Sequence, residues 1–257
     1  MDRSRVDGKV AIVTGAGGRG NSIGRAYAMG LAAAGASVVV ADLNLEGAQK
    51  VADEIVASGG KAIAAGVDIT KPDQVAAMAK AATEAFGGID ILVNNAALMM
   101  EVAALQAVDV PIDQWTRMLE VNTTGALICA QAVIPSMQAR GGGRIVNQVS
   151  GGAFPAISLY GVTKLALTGL TTLLAKQLGK SGICVNAIAP GNVTSEAGAA
   201  LVPDGSPFKQ FLQMSVCTDA SAPPEDLVGT FLLPCSDAGK WITGQTIHVD
   251  GGWVLRP

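Results

Sequence analysis

TGAGGRGNSIG, residues 14 to 24, decides the fold of this chain, because it stands between an apolar run of strand character and a segment of helical character. The run before it is KVAIVT (9–14), and the helix is predicted over residues 23–34. Glycines let a backbone approach a pyrophosphate closely, and the N-terminus of the next helix offers free N–H groups and the positive end of its dipole. With Ser22 as a candidate cap of that helix, the stretch predicts a nucleotide-binding turn.

Strand-like and helix-like segments alternate along the rest of the chain. Further strands are predicted at 37–42, 61–68, 89–95, 143–150 and 182–189, and further helices at 45–58, from Thr70 as N-cap to 86, at 113–140 and at 159–180. Strands that are apolar on both faces and separated by helices indicate a parallel sheet covered by helices on both sides. The handedness of the crossovers then gives a doubly wound α/β sheet, in a single domain over residues 1–257.

One region breaks this alternation. Residues 192–222 are irregular and rich in Gly, Pro and Ser. A loop of this length in a compact domain usually carries function. We expect this stretch, called the lid segment below, to bind and cover a substrate.

The composition argues against several classes of function. Charged residues make up 15% of the 257 residues and the net charge is −3, so no nucleic-acid partner is expected. Polar residues interrupt the uncharged stretches 121–139 and 145–163, so neither predicts a membrane span. Four scattered cysteines and the single histidine, His248, show no metal-ligand pattern. We therefore expect a cytoplasmic protein without a metal, and the scarcity of charge favours an oligomer.

Asp42 ends the second predicted strand. In a doubly wound sheet a carboxylate at this position accepts hydrogen bonds from the adenosine ribose hydroxyls and repels a 2′-phosphate, which favours NAD over NADP. Arg19, in the glycine turn, could instead attract that phosphate. We give Asp42 more weight, because its carboxylate would directly oppose the phosphate, whereas Arg19 stands on a flexible turn.

Tyr160 stands four residues before Lys164, in a chain that holds only two tyrosines. Residues at this spacing share one face of a helix. A phenol has a pKa of about 10 and is a poor base at neutral pH, but a neighbouring ammonium favours its ionised form. The pair therefore indicates an acid/base group, although a packed tyrosine beside a lysine would show the same spacing.

Taken in order along the chain, these residues resemble the motifs of the short-chain dehydrogenase/reductase family over nearly the whole sequence. The matching stretches are the glycine turn, Asp68 with Ile69, NNAA (94–97), Asn122, Ser150, Tyr160 with Lys164, Pro190-Gly191 with Val193 and Ser195, and WITGQTIHVDGG (241–252). The resemblance implies a Rossmann-type, mostly seven-stranded parallel sheet and an NAD-dependent oxidoreductase. The implied catalytic residues are Asn122, Ser150, Tyr160 and Lys164. The implied cofactor-binding residues are Gly15, Asn21, Ser22, Ile23, Asp42, Asp68, Ile69, Asn95, Tyr160, Lys164, Pro190, Val193 and Ser195.

The sequence departs from the family pattern in three places. The glycine turn is longer than usual and has Ser22 where a glycine is expected. Tyr160 follows Ser150 by only ten positions, and Ala97 replaces the glycine that usually ends the N-N-A-G motif. The phosphate contacts of residues 17–21 and the shape of the substrate site are therefore where this chain is expected to differ from its family.

The resemblance also assigns chemistry to the four catalytic residues. Lys164 and an oxidised nicotinamide would lower the pKa of Tyr160, so that the phenol exchanges a proton with an alcohol or ketone while hydride moves. Lys164 would also bind the nicotinamide ribose. Ser150 would hold the substrate oxygen, and Asn122 would kink its helix and hold a water of a proton relay.

Apolar residues surround the expected position of the substrate. Met99, Phe154 and Met214 are the principal candidates for substrate binding, and the wider set is Leu98, Met100, Ile157, Val193, Leu201 and Phe208. None is charged, so we expect an apolar secondary alcohol and its ketone. His248 and the three tryptophans are interpreted as packing residues.

Other functions remain open on the same residues. A 3-oxoacyl-carrier-protein reductase is the nearest rival, although Asp42 and the net negative charge argue against it. An enoyl-thioester reductase is disfavoured because Leu167 stands where that branch has its lysine. A non-catalytic nucleotide-binding scaffold is the third possibility. The family resemblance further implies a homotetramer with D₂ symmetry.

Overall fold

The computed structural model describes residues 2–18, 20–99, 106–156, 158–219 and 221–255. Within these residues seven strands form one parallel sheet in the order β3-β2-β1-β4-β5-β6-β7. The strands are β1 (Val10–Thr14), β2 (Ser37–Asp42), β3 (Lys61–Gly66), β4 (Ile91–Asn94), β5 (Gly143–Gln148), β6 (Ile183–Pro190) and β7 (Thr246–Val249). The strand order reverses at β1, which pairs with β2 on one side and β4 on the other. Ligands of such sheets bind outside the carboxyl ends of the strands at this point.

Helices cover both faces of the sheet. They are α1 (Ile23–Ala33), α2 (Leu45–Ala57), α3 (Pro72–Phe86), α4 (Ile112–Leu119), α5 (Gly125–Ala139), α6 (Leu159–Leu178), α7 (Glu196–Leu201), α8 (Pro207–Ser215) and α9 (Val228–Cys235). One core joins the sheet to α1, α2 and α9 through side chains such as Tyr27, Ile55 and Phe231. A second core joins the opposite face to α3, α5 and α6. The doubly wound parallel sheet predicted from the sequence is confirmed.

The long helix predicted at 113–140 is divided by a π-helical turn, Glu120–Thr124, between α4 and α5. A π turn inserts one extra residue into the helical ladder, and such turns are frequent at functional sites. Asn122 lies at the middle of this turn, with its side chain 1% exposed. The kink expected at Asn122 therefore takes the form of a widened helical turn.

Two local predictions were wrong. The N-cap of α3 is Lys71 rather than Thr70, whose hydroxyl donates to Asp68 Oδ1 at 2.7 Å instead of accepting from the helix. The lid segment is not wholly irregular, because it contains α7 and α8. Ser195 and Ser206 cap these helices and accept hydrogen bonds from Gly198 N at 3.1 Å and Lys209 N at 3.2 Å.

The two ends of the lid segment are joined to each other. Val193 forms a parallel β-bridge with Ala222. Thr194 N donates to Ala222 O at 2.9 Å, and Ala222 N donates to Asn192 O at 3.1 Å. The segment therefore leaves β6 and returns at nearly the same point.

At the amino ends of the strands, a buried carboxylate links β1 to the end of α5. Asp90 accepts hydrogen bonds from Arg140 Nε and Nη2, both at 3.0 Å, and from Val10 N at 2.9 Å. Asp90 is 5% exposed, whereas the side chain of Arg140 is 34% exposed. Bidentate arginine–carboxylate pairs combine charge with defined geometry, so this contact fixes where α5 ends against the sheet.

We expect Asp90→Ala to lower the free energy of unfolding by about 2 kcal/mol, because a charge-assisted hydrogen bond is lost and a buried backbone N–H is left unpaired. Urea unfolding followed by circular dichroism measures this change. Asp53→Ala is the matched control, since Asp53 makes an exposed contact with Gln49 within α2. Its effect should stay within about 0.5 kcal/mol. Equal midpoints for the two variants would show that the Asp90 cluster is not stabilising.

Candidate active site

The glycine turn packs directly against the end of β4. Gly15 has φ +67°, and a Cβ at this position would lie 2.6 Å from Ala96 Cα. Asn95 Nδ2 donates to Thr14 O at 3.0 Å and to Gly15 O at 2.9 Å. Only glycine combines this backbone conformation with so close an approach, and Asn95 holds the turn in place.

Asp42 connects the end of β2 to the same turn. Its Oδ2 accepts from Gly17 N at 2.9 Å, and its Oδ1 accepts from Asn44 N at 2.9 Å. A carboxylate offers about four lone-pair sites, so these two bonds leave acceptor capacity for ribose hydroxyls. Asp42 therefore shapes the glycine turn as well as presenting a negative charge to the space beside it.

A cleft of about 660 Å³, here called the long cleft, runs along the carboxyl ends of the strands from Asp42 to Tyr160. The predicted cofactor-binding residues in its walls are Gly15, Ser22, Ile23, Asp42, Asp68, Ile69, Asn95, Tyr160 and Ser195. Ser22 caps α1 and accepts from Arg25 N at 3.2 Å, so the N-terminus of this helix is directed toward the cleft. The size and these walls fit an extended dinucleotide.

A second space of about 400 Å³, here called the inner cavity, adjoins the long cleft. Ser150, Pro190 and Val193 line it, and their places near a nicotinamide and a substrate stay a prediction. Five residues line both spaces: Ile23, Met99, Gln148, Tyr160 and Ser195. Tyr160 therefore lies where the two spaces meet.

The charges are distributed unequally between the two spaces. Among the described residues, the walls of the inner cavity hold no charged side chain. The long cleft holds the carboxylates of Asp42, Asp68 and Glu196 and the guanidinium of Arg117. The inner cavity can therefore bury an uncharged group, while polar and charged groups are accommodated along the cleft.

Tyr160 and Lys164 lie in the first turns of α6, which Ser158 caps by accepting from Gly161 N at 3.1 Å. Lys164 is fully buried, and its Nζ lies 5.4 Å from the centroid of the Tyr160 ring. The ammonium donates to Gln148 O at 2.9 Å. The two side chains are thus neighbours, but the bond from Lys164 is made to a backbone carbonyl.

Burial shifts the pKa values of both groups. It lowers the pKa of Lys164 to about 7 and raises the pKa of Tyr160 above its usual value, because each charged form is poorly solvated. The lowered phenol pKa expected from the sequence is therefore not seen in the protein alone. The physical reason is that desolvation of the phenolate is the dominant influence on Tyr160.

Asn122 joins three parts of the site. Its Oδ1 accepts from Leu98 N at 2.7 Å, and its Nδ2 donates to Leu98 O at 3.0 Å and to Thr163 Oγ1 at 3.0 Å. These bonds fix the chain after β4 to the helix that carries Lys164. Asn122 lies outside the walls of both spaces, and its part in a proton relay stays a prediction.

Ser150 follows β5 and caps a 3₁₀ turn, Gly151–Ala153, by accepting from Gly152 N at 3.1 Å. A hydroxyl that accepts one hydrogen bond still has its own proton to donate. Because Ser150 lines the inner cavity together with Tyr160, both hydroxyls can approach one substrate oxygen.

Several predicted residues do not line either space. Asn21 contributes a backbone oxygen that accepts from Glu196 N at 3.4 Å. The Phe154 ring packs on His248 at a centroid distance of 4.7 Å, and Met214 is 82% exposed on α8. The structure does not bring the side chains of Phe154 and Met214 to the cavity, because the short turn after Ser150 and the orientation of α8 direct them elsewhere.

Of the wider apolar set, Leu98 lines the long cleft and Phe208 the inner cavity. Arg19, Met100 and Ile157 lie outside the described residues, as does the side chain of Leu201.

Sequence reasoning missed other residues of the site. Gln148 lines both spaces and accepts from the Tyr27 hydroxyl at 2.9 Å. A polar residue near the carboxyl end of an apolar strand, two positions before Ser150, was the available signal. Trp253 also lines the inner cavity, although it was interpreted as packing. No local pattern marks it, because its position depends on how the chain turns after β7.

His248 packs on Phe154, as interpreted from the sequence, and also has a carboxylate neighbour. Its Nδ1 lies 3.2 Å from Asp250 Oδ2. Asp250 is two residues further along, and the chain leaves β7 between them and turns back. Residues two positions apart lie on the same face of a strand, so His248 and Asp250 stay on one side of the chain as it leaves β7.

The described residues contain no group of three or more side chains arranged to hold a metal ion. They also contain no helix with the length and apolar character needed to span a bilayer. All four cysteines are free thiols.

Comparisons with known proteins agree with this geometry. The family model described as enoyl-(acyl carrier protein) reductase matches residues 18–254. An uncharacterised oxidoreductase of Mycobacterium tuberculosis is 46% identical over 250 residues, which are 97% of this chain and 99% of that protein.

Two solved structures share the whole fold. A 7α-hydroxysteroid dehydrogenase complexed with NADH and 7-oxo glycochenodeoxycholic acid is 35% identical, with a TM-score of 0.90 over 99% of this chain and 98% of that one. A gluconate 5-dehydrogenase from Burkholderia cenocepacia, in complex with NADP and tartrate, is 34% identical with a TM-score of 0.90 over 98% and 97%. The chain therefore belongs to the short-chain dehydrogenase/reductase family and is an NAD(P)-dependent oxidoreductase.

Proposed function

We propose that the protein transfers hydride between NAD(H) and an apolar secondary alcohol or ketone, with Tyr160 as the acid/base. The observation that carries this proposal is the position of Tyr160 in the wall shared by the two spaces. On one side lies a cleft that fits a dinucleotide, and on the other an uncharged cavity that also contains Ser150. A hydride donor and its acceptor have to meet beside such a proton-transferring group.

The residues divide the work as follows. A nicotinamide in the long cleft supplies or accepts the hydride. Tyr160 gives its proton to the ketone oxygen or takes one from the alcohol, and Ser150 orients that oxygen by donating its hydroxyl proton. Lys164, which would bind the nicotinamide ribose, is held by Gln148 O.

In the protein without its cofactor, the pKa values favour ketone reduction over alcohol oxidation. Burial keeps the Tyr160 phenol protonated, which is the form needed to reduce a ketone. Oxidation of an alcohol needs the phenolate, and a positive charge near the phenol stabilises it. Lys164, with a pKa lowered to about 7, can exchange protons near neutral pH, so it is suited to restore the proton that Tyr160 loses.

A carrier-protein substrate, as in 3-oxoacyl thioester reduction, is the second candidate. The description of the matching family model, an enoyl-(acyl carrier protein) reductase, favours it. Carrier proteins are acidic and require a basic rim, whereas Lys209 beside the inner cavity is paired with Asp204. The uncharged walls of the cavity give more support to a small apolar substrate.

We also propose a cytoplasmic homotetramer. The outer face of α6 shows Val162, Leu165 and Leu173 to solvent. Exposed apolar area of this extent is typical of a surface covered by another subunit.

Tyr160→Phe should reduce kcat by at least ~10²-fold, the lower range for loss of a general acid–base group, with NAD affinity nearly unchanged. Steady-state rates with a cyclic secondary alcohol and NAD binding by calorimetry measure the two quantities. Tyr27→Phe removes a hydroxyl from the other tyrosine, which is buried in the core. Its hydroxyl bonds to Gln148 Oε1, so this control should lose stability and should change turnover far less than Tyr160→Phe does. Near-wild-type turnover in Tyr160→Phe would refute the catalytic assignment.

NAD should be preferred over NADP, because a 2′-phosphate would lie against the Asp42 carboxylate. Asp42→Asn keeps an acceptor for Gly17 N and removes the charge. The kcat/KM with NAD divided by that with NADP should therefore fall by about tenfold, or 1.4 kcal/mol. Asp42→Ala should narrow the ratio as well but weaken both cofactors, since the glycine turn loses a bond. A wild-type protein with higher kcat/KM for NADP would contradict the assignment and favour Arg19.

A cyclic or aryl secondary alcohol should have a higher kcat/KM than a polyol or a 3-hydroxyacyl thioester. Burying apolar substrate surface against apolar walls stabilises binding by about 25 cal/mol per Å², and such walls provide no partner for a charged group. Rates of NADH formation with one substrate of each class measure the preference. If either polar substrate is preferred by tenfold or more, about 1.4 kcal/mol, the apolar assignment is wrong. A preference for the thioester would support the carrier-protein alternative.

A further inference from the structure

The turn after β7, residues 250–253, is fixed by one buried carboxylate. Asp250, whose side chain is 4% exposed, accepts from Gly252 N and Val254 N, both at 3.0 Å. It also pairs with His248 Nδ1 at 3.2 Å. Three contacts to one side chain define the path of the chain, so the residue that follows the turn has a defined position.

Glycines let this turn approach the catalytic loops. A Cβ on Gly151, directly after Ser150, would lie 3.1 Å from Trp253 Cε3, and a Cβ on Gly191 would lie 2.8 Å from Asp250 Cα. The turn therefore packs on the two segments that follow β5 and β6. This packing places the Trp253 indole in the wall of the inner cavity, together with Ser150 and Tyr160.

The lid segment is attached to the same turn. Cys217 N and Thr218 N donate to Gly251 O at 2.8 Å and 3.1 Å. Phe208 and Leu212, on α8 just before this attachment, line the same cavity as Trp253. The apolar part of the cavity is thus built jointly by the lid segment and the C-terminal turn.

We propose that Trp253 is a specificity-determining residue, whose indole favours ring-bearing secondary alcohols and ketones over short acyclic ones. This inference rests on the proposed function and deepens it. An indole presents a broad, rigid apolar face at a low cost in conformational entropy. A ring can cover that face, whereas a short acyclic substrate leaves most of it exposed to water. An indole that only packs would instead affect all substrates alike.

The kinetic test compares cyclohexanol with propan-2-ol. Trp253→Leu should lower kcat/KM for cyclohexanol by at least about tenfold and change that for propan-2-ol by less than about threefold, so the ratio falls. Trp253→Phe should restore part of the ratio. Trp241→Leu is the matched control, because Trp241 is 97% exposed and lies outside the walls of the cavity. Equal losses for both alcohols, with no restoration by phenylalanine, would overturn the proposal.

A binding measurement separates this inference from the proposed reaction. In the variant Trp115→Phe/Trp241→Phe, Trp253 is the one remaining tryptophan of the three in the chain. Cyclohexanone added with NAD cannot be reduced, so a saturable change in Trp253 emission reports binding without turnover. Absence of that change would overturn the inference. If emission changes saturably but the wild type oxidises neither alcohol, Trp253 lines a binding cavity and the proposed reaction is wrong.

Discussion

The nucleotide-binding edge of this protein depends on the side-chain amide of Asn95, which donates to the carbonyls of Thr14 and Gly15. The hydroxyl of Thr14 accepts from Asn95 N and Ala96 N and donates to Val93 O. These bonds fasten the ends of β1 and β4 together where the strand order reverses. The start of α1, the floor of the long cleft and the course of the chain toward Met99 all follow from that junction.

Much of this arrangement could be predicted because it depends on patterns within short stretches of sequence. Strands that are apolar on both faces, a glycine turn before a helix, and tyrosine and lysine on one helical face each need only a short window of sequence. Side chains placed by distant contacts could not be predicted. The π turn at Asn122 accompanies bonds to Leu98 and Thr163, which are 24 and 41 residues away. Likewise, the sequence around Met214 does not reveal which face of α8 turns inward.

The proposed catalytic pair, Tyr160 and Lys164, shows how burial and charge compete at one site. Lys164 is among the largest fully buried side chains, and its ammonium donates to the carbonyl of Gln148. Desolvation then weakens its charge and also resists ionisation of Tyr160. Near pH 7 the protein alone thus keeps the Tyr160 phenol neutral and leaves Lys164 only partly charged, so in the proposed reaction the electrostatics would depend on the charge that a nicotinamide brings. If the proposed roles hold, this coupling would make proton transfer respond to the oxidation state of the cofactor.

The joined ends of the lid segment have a consequence for how such a fold can diversify. Because Asn192, Thr194 and Ala222 pair at the base, the thirty or so residues between them form a cassette with a single point of insertion. Closing a longer or shorter loop there changes the entropy only slightly, by about 0.6 kcal/mol for each doubling of length. Recombination could exchange the cassette while β6 and the cofactor half of the molecule keep their structure. Its further bonds, from Glu196 N to Asn21 O and from Cys217 N and Thr218 N to Gly251 O, would require any new cassette to remain compatible with both the glycine turn and the C-terminal turn.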